Sequence, residues 1–443
     1  MRLEEKLEQL KRVAKPPARE AGLERQLEYL RRLQPPLAKL PSQRVPSNIE
    51  QYVEGRVETH ASGEFFLASQ SLPFGRPYGK YRIGDLSTTP LHPLDLFLEG
   101  HCLPQASRLL YLDTETTGLA GGTGTCAFLI GVGAVEGSQF VIRQYFLRDY
   151  PEEKAILAAL AGRLESYDGL VTFNGKTFDV PLLETRFALA RMKSPFSRLV
   201  HLDLLHPARR LWKLRLESCR LTHLEEHILG VRRDGDIPGS EIPAIYFEYL
   251  RTGNPRGLQP VFFHNAMDIV TLAVLTLEAA NVIHPSRFEK SGEAGGHALD
   301  LFSLSRIFER AGDSSKSVSA CRRALSAGLP DGMEPRALWH LALQHKRRGE
   351  YELAIEIWQE LTRRGADFSV ESFEQLAVHY EHRGRDAQAA MEFTKAAVEK
   401  IQESQAGAHQ QTLGDQVEWL RRLAHRIHRL RGKLCPADFN GQQ

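Results

Sequence analysis

Apolar residues fall into two regimes along this chain: short continuous runs over its first two thirds, then helical spacing. Leu109-Leu110-Tyr111-Leu112, Phe128-Leu129-Ile130-Gly131-Val132-Gly133 and Gly169-Leu170-Val171-Thr172-Phe173 end in turn-forming residues, which predicts buried strands. Gly118 and the run Gly121-Gly122-Thr123-Gly124-Thr125 supply a tight turn between the first two. That turn is no phosphate-cradling P-loop, because the closing Gly-Lys-Ser/Thr is missing. Asn174-Gly175 hands the third strand to a helix whose first turn holds Asp179 and tolerates Pro181. Ile269, Leu272, Ala273 and Leu277 then recur as the apolar side of a late helix.

Past Ile283 the pattern changes. Pro285 and the stretch Ser291-Gly292-Glu293-Ala294-Gly295-Gly296 read as a linker. Beyond it, Arg310-Ala311-Gly312-Asp313, Arg348-Gly349-Glu350-Tyr351 and Arg383-Gly384-Arg385-Asp386 recur with their glycines 37 and 35 residues apart, each between two amphipathic stretches. That approximates the period of a tetratricopeptide array, with Leu341, Ala342, Ala354, Ile355 and Trp358 at packing positions and residues 412–432 as a capping helix. At the other end, Leu3, Leu7, Leu10, Leu23, Leu27 and Leu30 show helical spacing broken at Pro16-Pro17.

The predicted division is a helical arm and Pro-rich linker over 1–45, a strand and turn lead-in over 46–106 and an α/β domain over 107–283. A linker over 284–298, helical repeats over 299–402 and a capping helix with a tail over 403–443 follow. At 443 residues and 42% hydrophobic content the chain can fill two or three cores.

Charge and cysteine usage narrow the class. A net charge of +2 excludes a generic DNA coat, yet residues 186–220 carry nine Lys/Arg against two acids. Arg209, Arg210 and Lys213 in that stretch suit a phosphate backbone, against the plainer reading of a solvated helix face. Five scattered cysteines without metal-ligand spacing read as free thiols in a reducing cytoplasm. No apolar run is expected to reach the length of a membrane span, and a soluble cytoplasmic protein is expected.

The chemistry lies in acids that follow the apolar runs. Asp113 and Glu115 sit two apart at the end of a strand and so share a face. Asp179 opens a helix, and His264 and Asp268, four apart, share one face of another. Gathered together these acids would repel one another, and divalent cations would offset that cost. Hard carboxylate ligands without a Cys or His cluster suit Mg2+ or Mn2+. Asp203 follows another strand-like run and reads as structural ahead of a fifth acid near the site, while Asp234 and Asp236 around Gly235 read first as a turn, one that could border the cleft.

Asp-x-Glu on a first strand, Asn174-x-x-x-Phe178-Asp179 and a His264…Asp268 pair on a late helix resemble the DEDD 3′-to-5′ exonucleases of the ribonuclease-H-like fold. The wording LDTETTGLAGGTGT, LVTFNGKTFDVPLL, HLDLLHPARRLW and VFFHNAMDIVTL resembles the bacterial YprB-like proteins over about residues 60–283. The resemblance implies a mixed sheet flanked by helices, followed by an all-α repeat domain. It implies two ions, with Asp113, Glu115 and Asp268 on one and Asp113 with Asp179 on the other, and His264 as the base for the attacking water. It also puts Thr116, Thr117, Leu119 and Asn174 beside the 3′ end of DNA or RNA. In that family a His base stands five residues before the last Asp and a Tyr four before it; here the His has the Tyr spacing. The implied function is a metal-dependent exonuclease whose repeats grip a protein partner. The alternatives are a non-cleaving nucleic-acid or protein-binding adaptor and an endonuclease on structured nucleic acid.

Overall fold

The computed structural model describes residues 48–118, 124–284, 296–364, 368–406 and 413–434. The expected N-terminal arm, Leu119, Cys435 and the tail lie outside these residues. Cys102, Cys126, Cys219 and Cys321 are free thiols.

Among the described residues nine strands form: β1 (Gly55–His60), β2 (Gly63–Pro73), β3 (Pro77–Tyr78), β4 (Tyr81–Arg82), β5 (Leu109–Thr116), β6 (Ala127–Glu136), β7 (Gln139–Phe146), β8 (Gly169–Thr172) and β9 (Val200–Asp203). Seven make one mixed sheet in the order β1-β2-β7-β6-β5-β8-β9. β5, β6 and β7 are an antiparallel meander, and β8 and β9 add to β5 in parallel. The β1–β2 hairpin pairs with β7, so the segment ahead of residue 107 extends the sheet of the α/β domain.

Helices α1 (Glu153–Leu164), α2 (Asp179–Leu189), α3 (Leu205–Trp212), α4 (Ile242–Thr252) and α5 (Gln259–Ile283) flank the sheet. Strand alternation divides the core. Leu109 and Tyr111 face a layer that includes α3 and α5. Leu110 and Leu112 face the layer of Leu160 on α1, Leu183 and Phe187 on α2 and Tyr246 on α4. Both faces are covered, which is why these strands read as apolar runs without alternation.

α5 corrects one expectation. The helical stretch Pro255–Ile283 is long and apolar enough to span a membrane, with a mean hydropathy of 1.7, but 78% of that window is buried inside the protein. It is apolar nearly all round because the sheet covers one side and α3 and the Glu225–Leu229 turn cover others.

Beyond residue 296 lie α6 (Ala298–Arg310), α7 (Ser314–Ser326), α8 (Glu334–Arg347), α9 (Tyr351–Arg364), α10 (Ser369–His382), α11 (Ala387–Ala406) and α12 (Leu413–Leu434). Each recurring Arg-Gly element falls at the turn of a helical hairpin. Gly312 and Gly349 have φ of 78° and 77°, the left-handed geometry that ends a helix cheaply in glycine, whereas Arg385 takes that role in the third turn at 51°. Ala342, Ala354 and Trp358 are buried together with Leu361 and Leu376. α6 packs on α3, and Leu299 and Phe302 share a core with Leu211, Trp212 and Leu277.

Candidate metal centre

β5 carries its odd-numbered residues toward α5, so Asp113 and Glu115 emerge on that face where the strand leaves the core. Asp113 pairs across the sheet with Gly131 of β6. A Cβ at residue 131 would fall 2.1 Å from Asn265 Oδ1. Glycine therefore lets α5 approach closely enough for Asn265 Nδ2 to donate to Asp113 Oδ2 at 2.9 Å. Gln144 Nε2 donates to Asn265 Oδ1 at 2.9 Å and completes the support. One Asp113 oxygen is thus held from behind.

The even face of β5 brings in the second layer. Thr114 Oγ1 donates to Asp179 Oδ1 at 2.5 Å, tying the start of α2 to the strand between the two acids. The loop ahead of α2 is braced by buried Asp203, which accepts from the backbone N–H of Asn174 at 2.7 Å and of Lys176 at 3.0 Å. Asp203 is structural, as its strand-end position suggested. Asn174 takes φ of 64°, and its backbone shapes this loop.

α5 presents His264 and Asp268 one turn apart. Asp236 lies 2.9 Å from His264 Nδ1, which favours a proton on that nitrogen and turns Nε2 toward Asp268 Oδ2 at 3.5 Å. Glu115, His264 and Asp268 offer ligand atoms that all lie within 4.8 Å of one another. Asp113 and Asp179 stand outside that trio but act on it through their charge.

One cation is built in. Arg233, 4% exposed, donates to Asp268 Oδ1 at 2.5 Å and to Glu225 Oε2 at 2.6 Å, with Asp236 Oδ2 at 3.2 Å. Tyr78 and Thr271 both hydrogen-bond to Glu225, which fixes Arg233 from behind. Burial works against its charge, but Asp268 and Glu225 outweigh that and hold it protonated.

Arg233 does not balance the acids. Burial, then the charges of Asp268, Glu115 and Asp179, push Asp113 well above the carboxylate range. Burial and the charges of Asp268, Asp179 and Asp236 push Glu115 up to about 8, and burial pushes Asp179 up to about 6 against the Thr114 hydrogen bond. A set of hard oxygen donors short of positive charge fits divalent cations of the Mg2+ or Mn2+ class.

The residues expected to touch nucleic acid are dispersed. Thr116 Oγ1 donates to the Gly118 carbonyl, and Thr117 Oγ1 accepts from Cys126 N–H, so both hydroxyls serve the local turn. Arg209, Arg210 and Lys213 gather with residues of α6 in a groove lined by none of the acids. Phe178, next to Asp179, is a half-exposed aromatic. Arg233, Asn265 and Gly131 were missed as site residues and carry no local signal, while Asp236 read first as a turn that could border the cleft.

Residues 110–279 match the RNase_H superfamily. With the sheet order, this makes the N-terminal part of the chain a ribonuclease-H-like α/β domain, followed by a helical domain. More particularly, the chain is similar to the uncharacterized protein YprB of Bacillus subtilis (strain 168), with 29% identity over 294 residues that cover 66% of this chain and 69% of that one. Among solved structures, the family B DNA polymerase of Pyrobaculum calidifontis aligns with 56% of this chain and 30% of its own, at 14% identity and a TM-score of 0.32. MamA aligns with 40% of this chain and 100% of its own, at 17% identity and a TM-score of 0.24. The chain thus spans less than a third of the polymerase, and at these scores neither likeness bears on function.

Proposed function

We propose that this protein hydrolyses phosphodiester bonds of DNA or RNA as a DEDD-type 3′-to-5′ exonuclease. The observation that carries the reading is that Glu115, His264 and Asp268 offer ligand atoms within 4.8 Å of one another, with Asp113 and Asp179 close enough for charge coupling to these acids and Asp236 on His264 Nδ1. One divalent ion on Asp113, Glu115 and Asp268 and a second on Asp113 and Asp179 would supply the counter-charge for these acids and for the phosphate, and Lewis acidity at phosphorus. His264 Nε2 takes the proton of the attacking water, and Asp236 stabilises the imidazolium that results. Phe178 offers a face on which a terminal base can stack. The helical array is the surface on which a protein partner would dock.

The test is degradation of end-labelled single-stranded and duplex DNA and RNA with Mg2+ or Mn2+, comparing wild type with Asp113→Ala and Asp268→Ala. Stepwise, metal-dependent shortening from the 3′ end that both substitutions abolish supports the exonuclease and names its substrate. Internal cuts would make it an endonuclease. One observation favours a second reading, a binding adaptor without cleavage: Arg233 already engages an oxygen of Asp268. Tight binding with no cleavage under any metal would select it.

A further inference from the structure

The surface where α3 of the α/β domain meets α6, the first repeat helix, is crowded with cations. Arg209, Arg210 and Lys213 form one wall of an open groove of about 240 Å³, and Arg306 and Arg310 form the other. All five side chains are exposed, and no acid lines the groove. The neighbouring charges are already matched. Arg215 pairs with Asp300 at 2.9 Å, and Glu309, whose charge acts on Arg306, is engaged by Arg347 and by His340 at 3.4 Å. Arg306 instead faces Arg310 and Arg336, and burial together with those two like charges pulls its pKa down.

Two further features point to a ligand. Ser303, 2% exposed, lines the same groove, and its hydroxyl has no hydrogen-bond partner. Arg306 and Arg310 are one helical turn apart on α6, with Cβ atoms about 5–6 Å from each other, so both guanidinium forks reach the same edge of the groove. Five like charges along one groove repel one another, and an anion that joins them relieves that repulsion. Guanidinium forks pair bidentately with phosphate oxygens, as they do with carboxylates, and the nuclease reading selects phosphate between the two.

We propose that this groove binds the sugar-phosphate backbone of a nucleic-acid strand, so that the first helical repeat is part of the substrate surface of the α/β domain. The choice of nucleic acid rests on the nuclease reading above. The groove itself rests on the charges. α3 begins two residues beyond Asp203, which braces the loop leading to Asp179, and its eight residues run about 12 Å, so the groove residues Arg209 to Lys213 lie along its far half from that end of the sheet. A strand held in the groove extends past its acid-bound end, and the site favours substrates several nucleotides long.

The experiment is fluorescence anisotropy of labelled single-stranded DNA and RNA oligonucleotides with the full chain in EDTA, where no cleavage can occur. The variants are Arg306→Glu/Arg310→Glu on α6, Arg209→Glu/Arg210→Glu on α3, and Lys395→Glu on exposed α11 as control, each checked for an unchanged melting curve. Both double variants should weaken binding at least tenfold. Each should also flatten the dependence of log K on log salt by about 1.4, the value for two lost phosphate contacts on a single strand. Lys395→Glu should do neither. Double variants that bind like the control overturn the groove. Polyglutamate binding that both variants abolish, without oligonucleotide binding by wild type, would replace nucleic acid with an acidic peptide and overturn the proposal. Cleavage by the double variants of a dinucleotide, with loss of long-strand binding, separates the groove from the acids. Groove-dependent binding without any cleavage in metal would sink the nuclease reading alone.

Discussion

Arg233 Nη2 stands 2.5 Å from Asp268 Oδ1, a buried guanidinium on a carboxylate that the nuclease reading gives to a metal. The same guanidinium neutralises Glu225, 1% exposed on its side chain, so it cannot leave without stranding a buried charge. It holds part of the acidic centre together before any ion arrives.

Arg233→Met should therefore destabilise the metal-free protein by about 3–5 kcal/mol, the usual cost of removing one partner of a buried pair. With one positive charge fewer, Mn2+ should bind more tightly, so the gap between metal-free and Mn2+-saturated melting temperatures should widen. Calorimetric melts with and without Mn2+ measure both effects, and an unchanged gap would show that Arg233 does not compete with the ion.

The raised acids set a pH dependence. Glu115 at about 8 and Asp179 at about 6 keep their protons in the folded metal-free protein to higher pH than in the unfolded chain. Their contribution to stability is fully present below the unfolded carboxylate range, near pH 4, and is lost as pH rises through 6 and then 8. The metal-free melting temperature should fall between those values, and Mg2+ should raise it more at pH 8.5 than at pH 5.5. Melts in EDTA and in Mg2+ across that range decide the matter.

Asp236 acts through His264 in the proposed reaction. Asp236→Asn should lower kcat about 10- to 100-fold with little change in KM, the range seen when the partner that orients a functional His is removed. Asp236→Glu should recover part of the loss. If both variants change KM and kcat alike, or neither, the carboxylate is only part of the turn.

Gly131→Ala puts a methyl group 2.1 Å from Asn265 Oδ1. Overpacking of this kind costs about 1–3 kcal/mol, and Asn265 must withdraw from Asp113. The variant should lose both stability and divalent-ion affinity, whereas Asn265→Ala on the natural glycine should lose mainly the affinity. Isothermal titration with Mn2+ beside urea unfolding separates the two.

Far from the acids, Glu381 holds the last helix. It accepts from Arg429 Nε at 2.6 Å, Arg426 at 2.7 Å and Lys433 at 2.9 Å, and Arg429 first among them pulls its pKa down to about 2. Its contribution is present above the unfolded carboxylate range and vanishes as pH falls through about 2. Glu381→Gln should free α12 at neutral pH, seen as faster amide exchange in Leu413–Leu434 while β5 to β9 exchange as before.

Legibility followed distance along the chain. β5, β6 and β8 were readable because a strand buried on both faces writes itself as an apolar run. Asp113 with Glu115 and His264 with Asp268 could be placed on common faces because two and four residues are the periods of strand and helix. The repeat turns were readable by recurrence. The apolar length of the Pro255–Ile283 stretch was not recognised in the sequence; a central core helix and a spanning helix share a composition, and only what surrounds α5 distinguishes them.

The sequence by itself determined β5, β6 and β8, the helical hairpins and the pairings of Asp113 with Glu115 and His264 with Asp268 within single elements, since local periodicity encodes each of them. The tertiary structure alone decided that the β1–β2 hairpin extends the same sheet, that Arg233 and Asp236 enter the acidic centre, and that α3 and α6 share a basic groove. The reason is separation: Asn265 meets Asp113 across 152 residues and Arg233 meets Asp268 across 35. Such partners are chosen by packing and burial of charge, which act in space and leave no period in the chain.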